Sequence, residues 1–151
     1  METVELKTEG IRQFVQDLWG SMLGLEPTSA EGKGDWAASG GCYTAWVRII
    51  GGINLTVILK SSEGLARKSA SLMMETSEAE ITSDQAKDSL KELANILGGN
   101  VKGMMAKYHF LSLPAVSELN QEPRLPEGEA LCDFHFQCQD HPFQLTVLRT
   151  D

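Results

Sequence analysis

Two stretches of period-two alternation stand on either side of the middle of this chain, and each reads as a pair of strands. In the first, Tyr43, Ala45, Val47 and Ile49 alternate with Thr44, Trp46 and Arg48, and Ile53, Leu55, Val57 and Leu59 alternate with Asn54 and Thr56. Alternation carried by β-branched and aromatic residues marks half-buried strands. Gly51-Gly52 between the two runs predicts a two-residue hairpin turn. In the second, Cys132, Phe134, Phe136 and Cys138 alternate with Asp133, His135, Gln137 and Gln139. Phe143, Leu145 and Val147 follow a turn predicted at Asp140-His141-Pro142. Hairpins with one apolar face need a second layer to cover that face.

Three helices are predicted to supply it. Ile11, Phe14, Val15, Leu18, Trp19, Met22 and Leu23 hold the 3.6-residue period over more than three turns, and Gly24 and Pro27 end the run. Ser61 or Ser62 caps a second helix that reaches about Glu75, with Leu65, Ala66, Leu72 and Met73 facing inward. Ser83-Asp84 opens the third and longest, to roughly Lys107, with an apolar stripe of Ala86, Leu90, Leu93, Leu97, Val101 and Met104. Residues 26–41 predict a loop with a short strand near Trp36. Residues 108–130, with Pro114, Pro123 and Pro126, predict irregular chain, a short strand at Leu111-Ser112-Leu113 and a surface loop from Glu118 to Glu129. No repeat or domain boundary is visible. The expectation is one domain over 1–151 of the α+β class, an antiparallel sheet with long helices packed on one face.

A chain of 151 residues can bury a sufficient core without disulfides or metal. Its net charge of −8 disfavours nucleic acid and anionic membranes, both of which attract Lys and Arg clusters. Three cysteines, Cys42, Cys132 and Cys138, are too few and odd in number for a disulfide framework. The N-terminus has neither the basic nor the apolar region of a signal peptide, and no apolar run approaches the ~18 residues of a membrane span. These features predict a reduced, cytoplasmic protein.

The third helix carries the residues of greatest chemical interest. Asp88, Glu92, Asn95 and Gly99 lie at i, i+4, i+7 and i+11. At about 100° per residue they form one stripe, with Glu92 and Asn95 about 4.5 Å apart along the axis. A carboxylate there can pair with a partner's lysine, and an amide can accept a hydrogen bond from a water and orient it. Gly98 and Gly99 together cost the helix about 1–2 kcal/mol relative to alanine, which predicts close approach of another backbone. With 14 Glu and four Asn in the chain, an isolated Glu-x-x-Asn arises about 0.4 times by chance. The four-residue pattern therefore needs support from its surroundings.

That support comes from the longer string. Asp88-Ser-Leu-Lys-Glu92-Leu-Ala-Asn95-Ile-Leu-Gly-Gly99-Asn100-Val-Lys-Gly103 resembles the signature helix of the CheX family of chemotaxis phosphatases, within the CheC/CheX/FliY group. The shared features are an acidic or Ser residue, Glu four later, Asn three after that, and a Gly-Asn pair one turn on. Leu113-Pro114-Ala115-Val116 resembles the family's segment after this helix, and the order of elements is similar over most of the chain. A single Glu-x-x-Asn, at Glu92/Asn95, is similar to the one-site CheX type. The resemblance implies a phosphatase of a phosphorylated CheY-type response regulator. Glu92 would pair with the receiver's active-site lysine, Asn95 would position the hydrolytic water, and Asp88 and Gly99 would contact the partner. The receiver would supply Mg²⁺ and the phosphoaspartate, so no cofactor on this chain and no nucleophile of its own is implied. A homodimer is implied as well. A non-catalytic adaptor binding a receiver through the same helix, and an interaction domain with no signalling role, are the alternatives.

Other motifs are weaker. Cys132, His135, Cys138 and His141 have a spacing that suggests zinc, but on one strand 132 and 138 face away from 135 and 141. Cys42 and Arg48 match a Cys-x5-Arg spacing, yet the alternation from Tyr43 to Val47 predicts a strand where that motif needs a phosphate-cradling loop. Gly32-Lys33-Gly34 lacks the spacing of a nucleotide-binding loop. Met73-Met74 and Met104-Met105 read as core filler.

Overall fold

A computed structural model describes residues 6–105 and 108–150 of the chain. Helix α1, Thr8–Leu23, begins the fold and ends where Gly24 enters the left-handed region at φ 67°. The Gly24 N–H donates to the Gly20 carbonyl and the Leu25 N–H to that of Trp19, closing the last turn as a glycine C-cap does. Ile11, Val15, Leu18, Trp19 and Leu23, all on the predicted stripe, are buried.

The two hairpins form as the alternation predicts. The first pairs β2, Cys42–Ile50, with β3, Leu55–Ser62. The second pairs β6, Glu129–Cys138, with β7, His141–Arg149. Both turns differ from expectation. The first loop spans four residues, 51–54, because Ile53 is buried and Asn54 Oδ1 accepts from the Gly51 N–H at 3.2 Å. The second turn is at Gln139-Asp140, with Gln139 at φ 56°, so His141 already belongs to β7.

The hairpins join through β3 and β7. Together with β1 (Thr28–Ser29), β4 (Phe110–Leu111) and β5 (Ala115–Val116) they make one antiparallel sheet of order β1-β6-β7-β3-β2-β4, with β5 also on β2. The strand predicted near Trp36 is absent. A single 3₁₀ turn, Ala37–Ser39, stands there, and the short strand of this region is β1. The strand predicted at 111–113 is instead split into β4 and β5. Pro114 has no N–H to give to a ladder, and Ser112 and Ser117 tie the edge down: each donates its N–H to β2 at 2.8 Å and each hydroxyl accepts an N–H from β2.

The helices cover one face. Helix α2, Glu63–Met74, starts where Ser62 Oγ accepts from the Leu65 N–H. Helix α3, Ser83–Gly103, opens at Ser83 as predicted, with Thr82 as its N-cap, where Thr82 and Gln85 form a reciprocal capping box. Lys107, its predicted end, lies outside the described residues. α3 packs on β2 and β3 with α2 beside it. α1 lies over the second hairpin, where the Trp19 ring stacks on Phe143 with centroids 4.6 Å apart. Leu72, predicted to face inward, is 40% exposed, and Met73 is only half-buried. The opposite sheet face carries the partly exposed Trp46, Ile58 and Lys60, with Glu122 of the 118–129 segment paired to Lys60.

The predicted close approach occurs at one glycine. A Cβ at Gly98 would run into Val47 Cγ2 and Leu111 Cδ1, whereas one at Gly99 would meet nothing within 4 Å. The neighbour is thus a valine side chain rather than a backbone, and Gly98 alone lets α3 settle onto β2.

The four residues of the zinc-like spacing separate. Cys132 and Cys138 face the core, while His135 lies on the opposite face of β6. His141 sits across the turn opposite Cys138, so the parity expected for a single strand does not hold for it; its Nδ1 lies 2.7 Å from Ser39 Oγ. No group of three His, Cys, Asp or Glu is arranged to hold a metal among the described residues. Burial pushes the Cys132 thiol up to about 11 and raises those of Cys138 and the half-buried Cys42.

Replacing Gly98 by Ala is expected to cost about 1–3 kcal/mol through overpacking against Val47. Gly99→Ala should be neutral or stabilise by up to ~1 kcal/mol through helix propensity alone. Urea midpoints of the two variants, measured side by side, check the contrast. Raised thiol pKa values mean a smaller thiolate fraction at pH 8 and slower alkylation. Native protein treated with iodoacetamide at pH 8 should be labelled at Cys42 before Cys132 and Cys138, with the difference lost in denaturant; peptide mass spectrometry reads the order.

Candidate functional site

The rotation of α3 is set by its buried side. Leu90, Leu93, Ala94, Leu97 and Val101 are all at most 1% exposed, and with Gly98 against Val47 the helix has one way to sit. The opposite side is therefore presented to solvent. Asp88, Glu92 and Gly99 are exposed and Asn95 is half-buried. All four predicted site residues fall on this one stripe.

The charges around the stripe are mostly engaged. Asp88 pairs with Lys91 at 3.2 Å. Lys87 binds Glu118 at 2.8 Å and Asp84 at 3.4 Å, and the Glu118 hydrogen bond leads in holding the Lys87 pKa above its usual value. Those contacts tie the N-terminal half of α3 to the segment after β5. Glu92 and Asn95 differ: among the described residues neither side chain has a hydrogen-bond or ion-pair partner. A free carboxylate and a free amide thus stand about one turn apart on a rigid helix. Functional groups intended for an external partner are best held this way, on an ordered element with their own valences open. Gly99, one turn beyond Asn95, is bare, with nothing within 4 Å of where its Cβ would stand. Asn100, the second residue of the Gly-Asn pair, turns inward, and its Oδ1 is enclosed without a hydrogen-bond partner among the described residues.

One feature of the site was not legible in the pattern. A cleft of about 240 Å³ opens between α2 and α3, lined by Ala70, Met73, Met74, Gln85, Asp88, Ser89 and Glu92. It shares Asp88 and Glu92 with the stripe. Met74, expected as core filler, is 48% exposed. Ala70, Met73 and Met74 do follow i, i+3, i+4, but the same spacing marks a core ridge, and only the position of α3 reveals that this ridge borders solvent. Met104 and Met105 do pack against the core, partly buried.

The remaining motifs do not assemble into sites. Cys42 and Arg48 lie at the start and near the end of one continuous strand. Gly32-Lys33-Gly34 falls in the chain between β1 and the 3₁₀ turn. No helix among the described residues is long and apolar enough to cross a membrane.

Solved structures share this fold. The chemotaxis protein CheX from Vibrio vulnificus superposes with a TM-score of 0.76 at 16% identity, over 99% of both chains. CheX from Desulfovibrio desulfuricans gives 0.71 at 15% identity, over 94% of this chain and 97% of that one. The CheX of a CheX-CheY-BeF3-Mg complex from Borrelia burgdorferi gives 0.64 at 14% identity, over 95% and 97%. No curated protein matches in sequence. The family model of the chemotaxis phosphatase CheX matches residues 43–136, a stretch that runs from β2 through α3 into β6. The chain that carries the Glu92–Asn95 stripe on its third helix therefore belongs to the CheX family of chemotaxis phosphatases.

Proposed function

We propose that this chain hydrolyses the aspartyl phosphate of a CheY-type response regulator by inserting the Glu92–Asn95 face of α3 into the receiver's site. The observation that carries the proposal is the unpartnered carboxylate and amide side by side on the exposed face of the helix. Family membership and the CheX-CheY complex of the Borrelia relative support it.

In this reading Glu92 pairs with a lysine of the receiver and fixes the register of the two proteins. Asn95 accepts a hydrogen bond from a water and aims its oxygen at phosphorus. The water oxygen forms the new bond, the bond from phosphorus to the aspartyl oxygen breaks, and inorganic phosphate and a free carboxylate result. Mg²⁺ and the phosphoaspartate belong to the receiver, so this chain contributes positioning rather than a nucleophile. Ordering a water in line is worth orders of magnitude when geometry is the main barrier. Asp88 and Gly99 border the contact, the first as a charged rim and the second as open space. The acidic balance suits a lysine-bearing partner. The proposed setting is the cytoplasm, with the chain acting as a homodimer.

The test is decay of a phosphorylated CheY-type receiver in Mg²⁺, with and without the protein. Wild type should accelerate decay, Asn95→Ala should lose about 10²-fold or more of kcat with binding retained, and Glu92→Ala should weaken binding as well. A wild type that binds the receiver without accelerating decay would make the protein an adaptor, and one that binds no receiver would remove the signalling role. Sedimentation equilibrium at micromolar concentration reads the dimer.

A further inference from the structure

The cleft between α2 and α3 has the composition of a side-chain pocket. Its α2 wall is apolar, formed by Ala70, Met73 and Met74, and its α3 wall carries Asp88 and Glu92. At about 240 Å³ and open to solvent, it is smaller than the ~300–1,000 Å³ pockets that enclose small-molecule ligands. It fits one protruding side chain. Met74 is 48% exposed and so puts apolar surface at the cleft. Methionine's unbranched, polarisable chain adapts to the shape of an incoming group.

We propose that this cleft is the specificity pocket for the receiver and takes one apolar side chain that neighbours a basic residue of the receiver. The inference rests on the phosphatase reading for the identity of the partner, and it assigns that partner's discrimination to α2. Two observations select such an occupant. The cleft is continuous with the proposed contact, because Glu92 and Asp88 belong to both. Asp88 is paired with Lys91 at 3.2 Å, so Glu92 is the unpaired charge of the lining among the described residues; an apolar group flanked by a cation is complementary to it, whereas an acidic neighbour is repelled. Buried apolar anchors in pockets carry a large share of binding energy at protein interfaces. Asn95, by contrast, is not among the residues that line the cleft, so recognition and water positioning are separable.

Met74→Lys places a charge in the apolar wall, and Met74→Leu keeps the wall apolar. Because Met74 is half exposed, both should fold, and a thermal melt by circular dichroism verifies it. Met74→Lys is expected to raise KM for the phosphorylated receiver, and its Kd, about tenfold or more, with kcat within twofold of wild type. Met74→Leu should restore both to within about threefold. Wild-type acceleration with an unchanged KM and Kd in Met74→Lys would overturn the pocket and leave the phosphatase reading standing. Receiver binding without acceleration, still weakened by Met74→Lys, would uphold the pocket and remove the phosphatase reading. No binding of the receiver by wild type would overturn both. A change in sedimentation mass of the isolated Met74→Lys protein would show that a second copy of the chain covers the cleft, and would overturn the proposal.

Discussion

The seating of α3 on β2 and β3 is the contact on which the rest of the molecule depends. Leu90, Leu93, Leu97 and Val101 are buried, and Gly98 stands where any side chain would strike Val47. A helix held along one stripe cannot rotate without exposing that stripe to water, at a cost of roughly 1.5–3 kcal/mol per large side chain. The outward direction of Glu92 and Asn95 is therefore a consequence of core packing, and the precision of the site is inherited from the core. Glycine adjacency matters in two opposite ways here. Gly98 is required by crowding, whereas Gly99 leaves open space on the Asn95 stripe.

The economy of the site follows from what surrounds it. Asp84, Lys87, Asp88, Lys91 and Glu118 spend their charges on one another, which anchors α3 to the segment after β5. Among the described residues, the side chains of Glu92 and Asn95 keep their hydrogen-bonding capacity unused. Such groups add nothing to folding, since exposed polar side chains without partners contribute little to stability. Under the proposed function, their worth lies in a second molecule that brings its own metal and its own reactive bond. In the proposed reading the α2/α3 cleft extends this division of labour, with α3 supplying chemistry and α2 supplying selection.

Much of the fold was legible because it is written in local periodicities. The stripe of α1 from Ile11 to Leu23, the caps at Ser62 and Gly24, and the alternation of both hairpins need only neighbours in sequence to be read. The misreadings share a cause. The four-residue loop after Ile50 is set by burial of Ile53, and the displaced second turn by the left-handed Gln139. The broken edge strand depends on Ser112 and Ser117 reaching β2 across more than sixty residues of sequence. Met74 and Leu72 were assigned to the core because helical spacing marks an apolar ridge without saying what lies opposite it.

By itself, the sequence determined the helices, the hairpins, the common face shared by Asp88, Glu92, Asn95 and Gly99, and the resemblance of that helix to a known signature. All of these are properties of rise and rotation per residue, the same in any surroundings. Only the tertiary structure decided that β7 rather than β6 joins β3, that Gly98 and not Gly99 meets the sheet, that the zinc-like quartet is dispersed, and that a methionine-walled cleft borders Glu92. Those outcomes depend on how separate elements pack, and packing is settled by contacts between residues far apart in the chain, which no local period encodes.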